Sequence, residues 1–329
     1  MTERDALLRA VCENPDDDTP RLVFADWLQE NGDEPRAEFI RVQIELARAT
    51  GERETRLITR QQELLTTWGE VWLEPFRDYK SLPGRGEWWE FSRGFVERLA
   101  VDEDQEKDFY AAKPPIYSRT PLRALWLTNQ QDYGPVTRWV GLSRLSELEF
   151  QGSVLAADTG IGKLFRSTRV ASLRTLKLIG YDDNGHLDLP AVIELSGRTG
   201  FRELTYLDLS CNWASWQFGD QEWVRVLSRS KLLSQLDRLD LHGTLLTAEG
   251  VEHLVGSEWL SNLGHLDLSA NDIGERGARA LVASPHLENL QVLDLTECFR
   301  EPHHEPIEPA IRTALTNRFG PRVRLDPIP

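Results

Sequence analysis

The stretch Leu204-Thr-Tyr-Leu207-Asp-Leu209-Ser-Cys-Asn212 decides the fold of this chain. Its leucines are separated by two residues and then by one, and an asparagine follows three positions later. The spacing covers about two thirds of the 329 residues, so the chain contains an internal repeat. It recurs as Leu236/Leu239/Leu241, Leu263/Leu266/Leu268 and Leu290/Leu293/Leu295 downstream, and less regularly as Leu173/Leu176/Leu178, Leu145/Leu148/Phe150, Leu122/Leu125/Leu127 and Val96/Leu99/Val101 upstream.

This spacing resembles the core of a leucine-rich repeat, in which each copy contributes one strand to a parallel sheet. Several of the strand starts lie 26 to 28 residues apart, which leaves room for a helix in each turn and is typical of the ribonuclease-inhibitor type. The resemblance therefore implies an α/β fold of about eight repeats. The expected architecture is a right-handed βα horseshoe, a solenoid with a parallel concave sheet and convex helices.

The first 86 residues carry a different pattern, with helical apolar spacing. Thr2 with Asp5 is predicted to form a capping box, Thr19 is predicted to cap the second helix, and Asp33 or Glu34 is predicted to open the third. The run ENPDDDTPRLVFADWLQENGD over residues 13–33, followed by RAEFIRVQ over residues 36–43, resembles the bacterial repeat-companion module that precedes leucine-rich repeats. The run WEFSRGFV over residues 89–96 is similar to the same family's entry into the repeats. The resemblance implies an all-helical cap domain over residues 1–86 and a repeat domain over residues 87–329. Within the repeat domain, a C-terminal cap is expected from about residue 299.

The residues between the buried leucines are expected on the concave face, because successive side chains of a strand point to opposite faces. Eight strands about 4.8 Å apart would give a surface roughly 35 Å long, which suits a protein partner. Aromatic side chains are common affinity anchors, so Trp126 and Tyr206 are predicted to serve as such. The predicted partner-binding residues are Trp126, Glu149, Lys177, Tyr206, Asp208, Arg238, Asp240, His265, Asp267 and Asp294.

Four of these residues, Asp208, Asp240, Asp267 and Asp294, occupy the same position of successive repeats. Neighbouring carboxylates repel one another, so a partner with a basic patch would bind favourably. Leucine-rich repeats also commonly read Leu-Asp-Leu-Ser without regard to ligand, and Arg238 and His265 could neutralise the row. The sequence leaves both interpretations open.

The composition narrows the class of partner. The chain carries 53 acidic and 38 basic residues, a formal net charge of −15, so neither a nucleic acid nor an anionic membrane surface is expected to bind it. No apolar run approaches the ~18 residues of a membrane span. Three cysteines without a Cys-x-x-Cys pair favour free thiols. We therefore expect a cytoplasmic protein.

Catalytic motifs are missing from the sequence. It contains no Walker A sequence, no Gly-x-Gly-x-x-Gly and no His-Glu-x-x-His. His303, His304, Glu305 and Cys298 lack a recognised zinc spacing, so neither a metal nor a cofactor is predicted. Asn212, Asn271 and Cys298 are interpreted as structural repeat residues.

These observations predict a non-catalytic protein–protein interaction scaffold, not an enzyme. The alternative is a regulator of an enzyme, such as a GTPase-activating protein, because repeats of the ribonuclease-inhibitor type include such members. A metal-dependent hydrolase that uses the acidic row ranks last.

Overall fold

The computed structural model describes residues 2–79, 89–113, 115–180, 187–197, 199–212, 221–299 and 307–326. Within these ranges the helices are α1 (Glu3–Glu13), α2 (Asp18–Glu30), α3 (Glu34–Leu46), α4 (Glu52–Leu73), α5 (Glu106–Ala111), α6 (Gly134–Arg138), α7 (Ile161–Arg166), α8 (Leu189–Ser196), α9 (Glu222–Leu227), α10 (Ala248–Val255), α11 (Gly274–Ala283) and α12 (Pro309–Phe319). The strands are β1 (Trp89–Ser92), β2 (Phe95–Asp102), β3 (Ala124–Thr128), β4 (Glu147–Gln151), β5 (Thr175–Ile179), β6 (Tyr206–Asp208), β7 (Arg238–Asp240), β8 (His265–Asp267), β9 (Val292–Asp294) and β10 (Val323–Arg324). The fold is α/β, as predicted.

The chain divides into two compact units, Met1–Trp126 and Leu127–Pro329. Strand β3 runs across this division. The domain boundary predicted between residues 86 and 87 falls in residues 80–88, which lie outside the described residues. That boundary stays a prediction.

The first unit begins with four helices, and side-chain caps fix the starts of the first three. Thr2 and Asp5 form the predicted capping box of α1, and Asp33 caps α3. The start of α2 differs from the prediction, which assigned the cap to Thr19. Asp17 is the cap, because its carboxylate accepts the Thr19 backbone N–H at 2.8 Å and so satisfies a donor of the first turn.

The four helices are followed by an antiparallel hairpin of β1 and β2. The sequence pattern did not predict β1, since residues 89–92 carry none of the repeat spacing. Helix α3 contacts the hairpin turn directly: Gln43 Oε1 accepts the Gly94 N–H at 2.6 Å, and Gln43 Nε2 donates to the Phe91 carbonyl at 3.3 Å. The two segments that carry the family resemblance therefore meet at this turn.

A buried ion pair joins α2 to β2. The Arg21 side chain is fully buried and its Nη2 lies 2.6 Å from Glu97 Oε1. Arg21 also donates to the carbonyls of Pro15 and Arg93, at 2.7 and 3.2 Å. Burial lowers the pKa of Arg21 and raises that of Glu97, while each charge stabilises the other. Removing one partner would leave the other charge buried and unpaired, so this contact requires both residues.

The second unit is the leucine-rich-repeat solenoid, and its strands β4 to β10 are parallel neighbours in chain order. The leucines of β6 to β9 are at most 1% exposed, as their spacing predicts. The convex helices lie where the pattern places them, with Val251 and Leu254 of α10 fully buried. The repeat between Leu122 and Leu145 is the shortest of the series, and its helix α6 has five residues.

Two asparagines of the repeat spacing tie successive turns of the solenoid together. Asn212 Nδ2 donates to the Leu178 and Leu209 carbonyls at 2.6 and 2.8 Å, and its Oδ1 accepts the Leu187 N–H at 2.8 Å. Asn271 makes the equivalent bonds two repeats further on. Cys298 replaces asparagine in the last repeat, where it is fully buried and its thiol donates to the Leu268 carbonyl at 3.0 Å. The structural interpretation of these residues is confirmed.

Gly94→Ala tests the contact between α3 and the hairpin, and Gly32→Ala is its matched control. Both glycines have left-handed φ angles, 87° and 86°. A β-carbon at Gly94 would lie 2.4 Å from Ile40 Cγ1 and 2.6 Å from its Cα, whereas one at Gly32 would meet nothing within 4 Å. Each variant should lose about 1–2 kcal/mol through backbone strain. Gly94→Ala should lose about 1–3 kcal/mol more through overpacking.

Urea denaturation monitored by circular dichroism measures both losses. Equal destabilisation of the two variants would contradict this contact.

Candidate protein-binding face

The four predicted aspartates form a straight line on the sheet of the second unit. Asp208, Asp240, Asp267 and Asp294 are direct partners on adjacent strands, and we call them the acidic row. The position before the row is Lys177 on β5, and the position after it is Arg324 on β10. The acidic row therefore has a cation at each end.

Each aspartate of the acidic row uses one carboxylate oxygen to hold its own chain. The Oδ1 atom accepts the backbone N–H two residues on, from Ser210, His242, Ser269 and Thr296, at 2.9, 3.0, 2.9 and 3.0 Å. This local bond satisfies the backbone where the strand ends. The repeat-consensus interpretation thus accounts for one oxygen of every carboxylate.

The second oxygens of Asp208, Asp240 and Asp294 face other side chains of the sheet. The Tyr206 hydroxyl donates to Asp208 Oδ2 at 3.3 Å, and Arg324 Nη1 lies 3.2 Å from Asp294 Oδ2. Arg238 Nη2 lies 3.7 Å from Asp240 Oδ2, so it neutralises the row only in part. His265 is directed to Asp237, which is not in the row, at 3.7 Å.

The carboxylates of the row have different electrostatic environments. Burial, followed by the charges of Asp208 and Asp267, raises the pKa of Asp240 to about 6, although the His242 N–H and Arg238 act to lower it. Burial also acts to raise the pKa of Asp294, but hydrogen bonds from Thr296 and Arg324 outweigh it, and that pKa is lowered. Asp240 is therefore the member of the row with the most unrelieved repulsion.

The adjoining strands carry a separate charge cluster. Lys177 Nζ lies 3.0 Å from Glu149 and 3.2 Å from Glu147. Burial acts to lower the pKa of Lys177, but the two carboxylates raise it overall. The predicted residues Lys177 and Glu149 are thus ion-paired with each other, and Lys177 also pairs with the neighbouring Glu147.

The aromatic residues predicted as anchors lie in different units. Tyr206 is half-buried in the second unit, and the Arg238 guanidinium covers its ring at 4.5 Å. Trp126 is the last residue of the first unit, half-buried, with a buried Nε1 that has no hydrogen-bond partner. The other nine predicted residues all lie in the second unit.

Sequence reasoning missed three functional candidates, which are Arg324, His242 and Cys211. Arg324 lies in β10, directly beside Asp294 of β9. His242 occupies the outward position two residues after Asp240, and its ring Nδ1 lies 2.9 Å from Ser269 Oγ. A hydrogen bond with Cys211 raises the pKa of His242 to about 9, although burial opposes this change.

Within the described residues, no group of three or more His, Cys, Asp or Glu side chains could hold a metal ion. His303, His304 and Glu305 lie outside those residues. None of the described helices combines the length and the apolar character needed to cross a bilayer.

No protein-family model matches this sequence, and no curated protein matches it. Among solved structures, the chain is similar to a protein from Bacteroides fragilis, with a TM-score of 0.44, 15% identity and coverage of 81% of this chain and 83% of that one. It is similar to an internalin from Listeria monocytogenes, with a TM-score of 0.32, 16% identity and coverage of 62% and 60%. It is also similar to a leucine-rich repeat protein from Bacteroides eggerthii, with a TM-score of 0.29, 12% identity and coverage of 72% and 36%. At such identities the likeness concerns the fold alone.

Asp240→Asn should raise the melting temperature at pH 7 but not at pH 4. The substitution keeps the acceptor for the His242 N–H and removes the charge. Because the folded pKa of Asp240 is about 6 and its ordinary value is 3.8, ionisation destabilises the fold fully above pH 6 and not at all below about pH 4. Thermal denaturation across this pH range measures the effect.

Asp294→Asn is the control with the opposite sign. The folded pKa of Asp294 is lowered, so its charge stabilises the fold above the ordinary pKa, and the benefit is lost as pH falls. This variant should melt at a lower temperature at pH 7. Shifts of the same sign for the two variants at pH 7 would contradict the electrostatic description.

Proposed function

We propose that the second unit is a non-catalytic protein-interaction scaffold whose acidic row binds a Lys- or Arg-rich segment of a partner protein. The observation that carries the proposal is the in-register alignment of four carboxylates on adjacent parallel strands. A cytoplasmic location belongs to the same proposal, and it is supported by three cysteines that form no disulfide.

The geometry of the acidic row suits an extended peptide. Three intervals of about 4.8 Å give a row roughly 14 Å long, which is the length of about four residues of extended chain. Each carboxylate keeps Oδ1 fixed by its own backbone, so the row needs little reordering when a partner binds. Preorganisation of this kind lowers the cost of association.

The electrostatics supply a reason for a cationic partner. Asp240 is repelled by Asp208 and Asp267, and Arg238 offsets part of that repulsion. A lysine or arginine of the partner placed over the row would relieve it. The gain exceeds that of an ordinary surface pair because Asp208 and Asp240 are only 6% and 8% exposed.

Tyr206 gives the proposed site an apolar component. Its ring is held between the Arg238 guanidinium and the hydrogen bond from its hydroxyl to Asp208. A fixed aromatic ring beside a charged row is the arrangement that anchors many protein interfaces. We assign Tyr206 the apolar contact and the acidic row the charged ones.

The double variant Asp208→Asn/Asp240→Asn should weaken binding of a fluorescent octalysine peptide at least tenfold. Both substitutions keep the Oδ1 acceptor, and the loss corresponds to about 1.4 kcal/mol. The matched control is Glu258→Gln/Glu288→Gln, which removes the same charge from exposed positions outside the strands. Fluorescence anisotropy at physiological salt measures both affinities.

The control variant should bind as the parent does. If the two double variants lose affinity equally, only the net charge matters and the proposed site is wrong. Unchanged affinity of the Asp208/Asp240 variant would contradict it equally.

A further inference from the structure

One side chain next to the acidic row, His242, departs from the repeat pattern, and a cysteine is its neighbour. At the outward position after the aspartates, β6, β8 and β9 are followed by Ser210, Ser269 and Thr296, whereas β7 is followed by His242. Cys211 directly follows Ser210 in the chain, and its backbone N–H donates to the His242 carbonyl at 2.8 Å. A thiol and an imidazole are thus placed on adjacent turns.

The hydrogen bonds of Ser269 fix the orientation of the His242 ring. The Ser269 hydroxyl donates its single hydrogen to Asp267 Oδ1 at 2.5 Å. It can therefore only accept from His242 Nδ1, which lies 2.9 Å away. The Cys211 side chain is the other hydrogen-bond partner of His242, and this bond raises the pKa of the imidazole.

The result is a chain of four side chains, Cys211, His242, Ser269 and Asp267, in which a nucleophile contacts a base and the base is held by further groups. The charged groups that face His242 are Asp240 on its own strand and Asp267 on β8, together with Cys211. Two carboxylates favour the imidazolium, and an imidazolium favours a thiolate beside it.

Cys211 is also reachable, in contrast to the other cysteine of this unit. Cys211 is half-buried, and Gly243 on the neighbouring turn has no side chain to cover it; a β-carbon there would lie 3.9 Å from the Cys211 sulfur. Cys298 is fully buried, and burial raises its pKa to about 12. One thiol of the solenoid is therefore placed to react and the other is not.

We propose that Cys211 is a nucleophilic thiol, activated by His242, that is modified by small-molecule disulfides. His242 takes the thiol proton, and the Cys211 thiolate attacks one sulfur of the disulfide. A mixed disulfide forms as the original S–S bond breaks, and the released thiolate takes the proton from His242. Ser269 and Asp267 are positioning residues that hold the imidazole ring.

The test uses the full chain and an aromatic disulfide, dithiobis(nitrobenzoate), whose released thiolate is measured by absorbance. At pH 7 the parent should react about tenfold faster than His242→Ala and His242→Gln. From pH 8.5 to pH 7 the thiolate fraction of an ordinary thiol falls about fifteenfold. The reaction rate of the two His242 variants should therefore fall by that factor over this range, and the rate of the parent by far less. Ser269→Ala should give an intermediate pH profile.

The matched control is His253→Ala, which removes a half-buried histidine of α10 outside the chain of four. It should react as the parent does, and Cys211→Ser should lose the fast reaction. Mass spectrometry after treatment with glutathione disulfide should place the adduct on Cys211. The proposal is overturned if the parent shares the pH profile of His242→Gln, or if the adduct maps to Cys12 or Cys298.

Discussion

Every strand of the solenoid has to end inside a leucine-filled interior without leaving backbone groups unpaired. An unpaired buried amide costs about 1–3 kcal/mol, so a repeated failure would outweigh the burial of the leucines. Asn212 and Asn271 meet this requirement by bonding the carbonyls of their own turn and of the preceding one. The aspartates of the acidic row meet it on the outer face, where each accepts the backbone N–H of the residue two positions after the strand ends.

The same requirement fixes the strand register, and the register creates the candidate binding face. Once Leu207, Leu239 and Leu266 are aligned in the interior, the aspartates that follow them are aligned outside. Their repulsion is tolerated because each keeps a backbone hydrogen bond and because Lys177 and Arg324 lie at the ends of the row. Local stabilisation and a charged surface thus arise from the same four residues.

The sequence predicts the parts of this structure that depend on spacing alone. Leucine spacing predicts the buried interior, and the asparagine position predicts the turn bonds. It did not predict β1, because an antiparallel hairpin follows none of the repeat spacing, and it assigned the cap of α2 to Thr19 instead of Asp17. Both differences depend on local backbone geometry.

The site was predictable in position but not in chemistry. Alternation placed the acidic row outward, but only the structure separates the oxygen held by the backbone from the oxygen that faces other side chains. Cys211 and His242 are 31 positions apart in the sequence. The register brings them together, so aligning the turns as columns would have revealed the pair, whereas a search for short motifs could not.

The central claim is that the carboxylates of the acidic row share one backbone role but differ in their electrostatic relief. Carbon-13 NMR titration of the side-chain carboxyl groups tests this directly. The account predicts that Asp240 titrates near pH 6, well above Asp294, whose pKa lies below the ordinary value. Equal titration of Asp240 and Asp294 close to the ordinary pKa of 3.8 would contradict it.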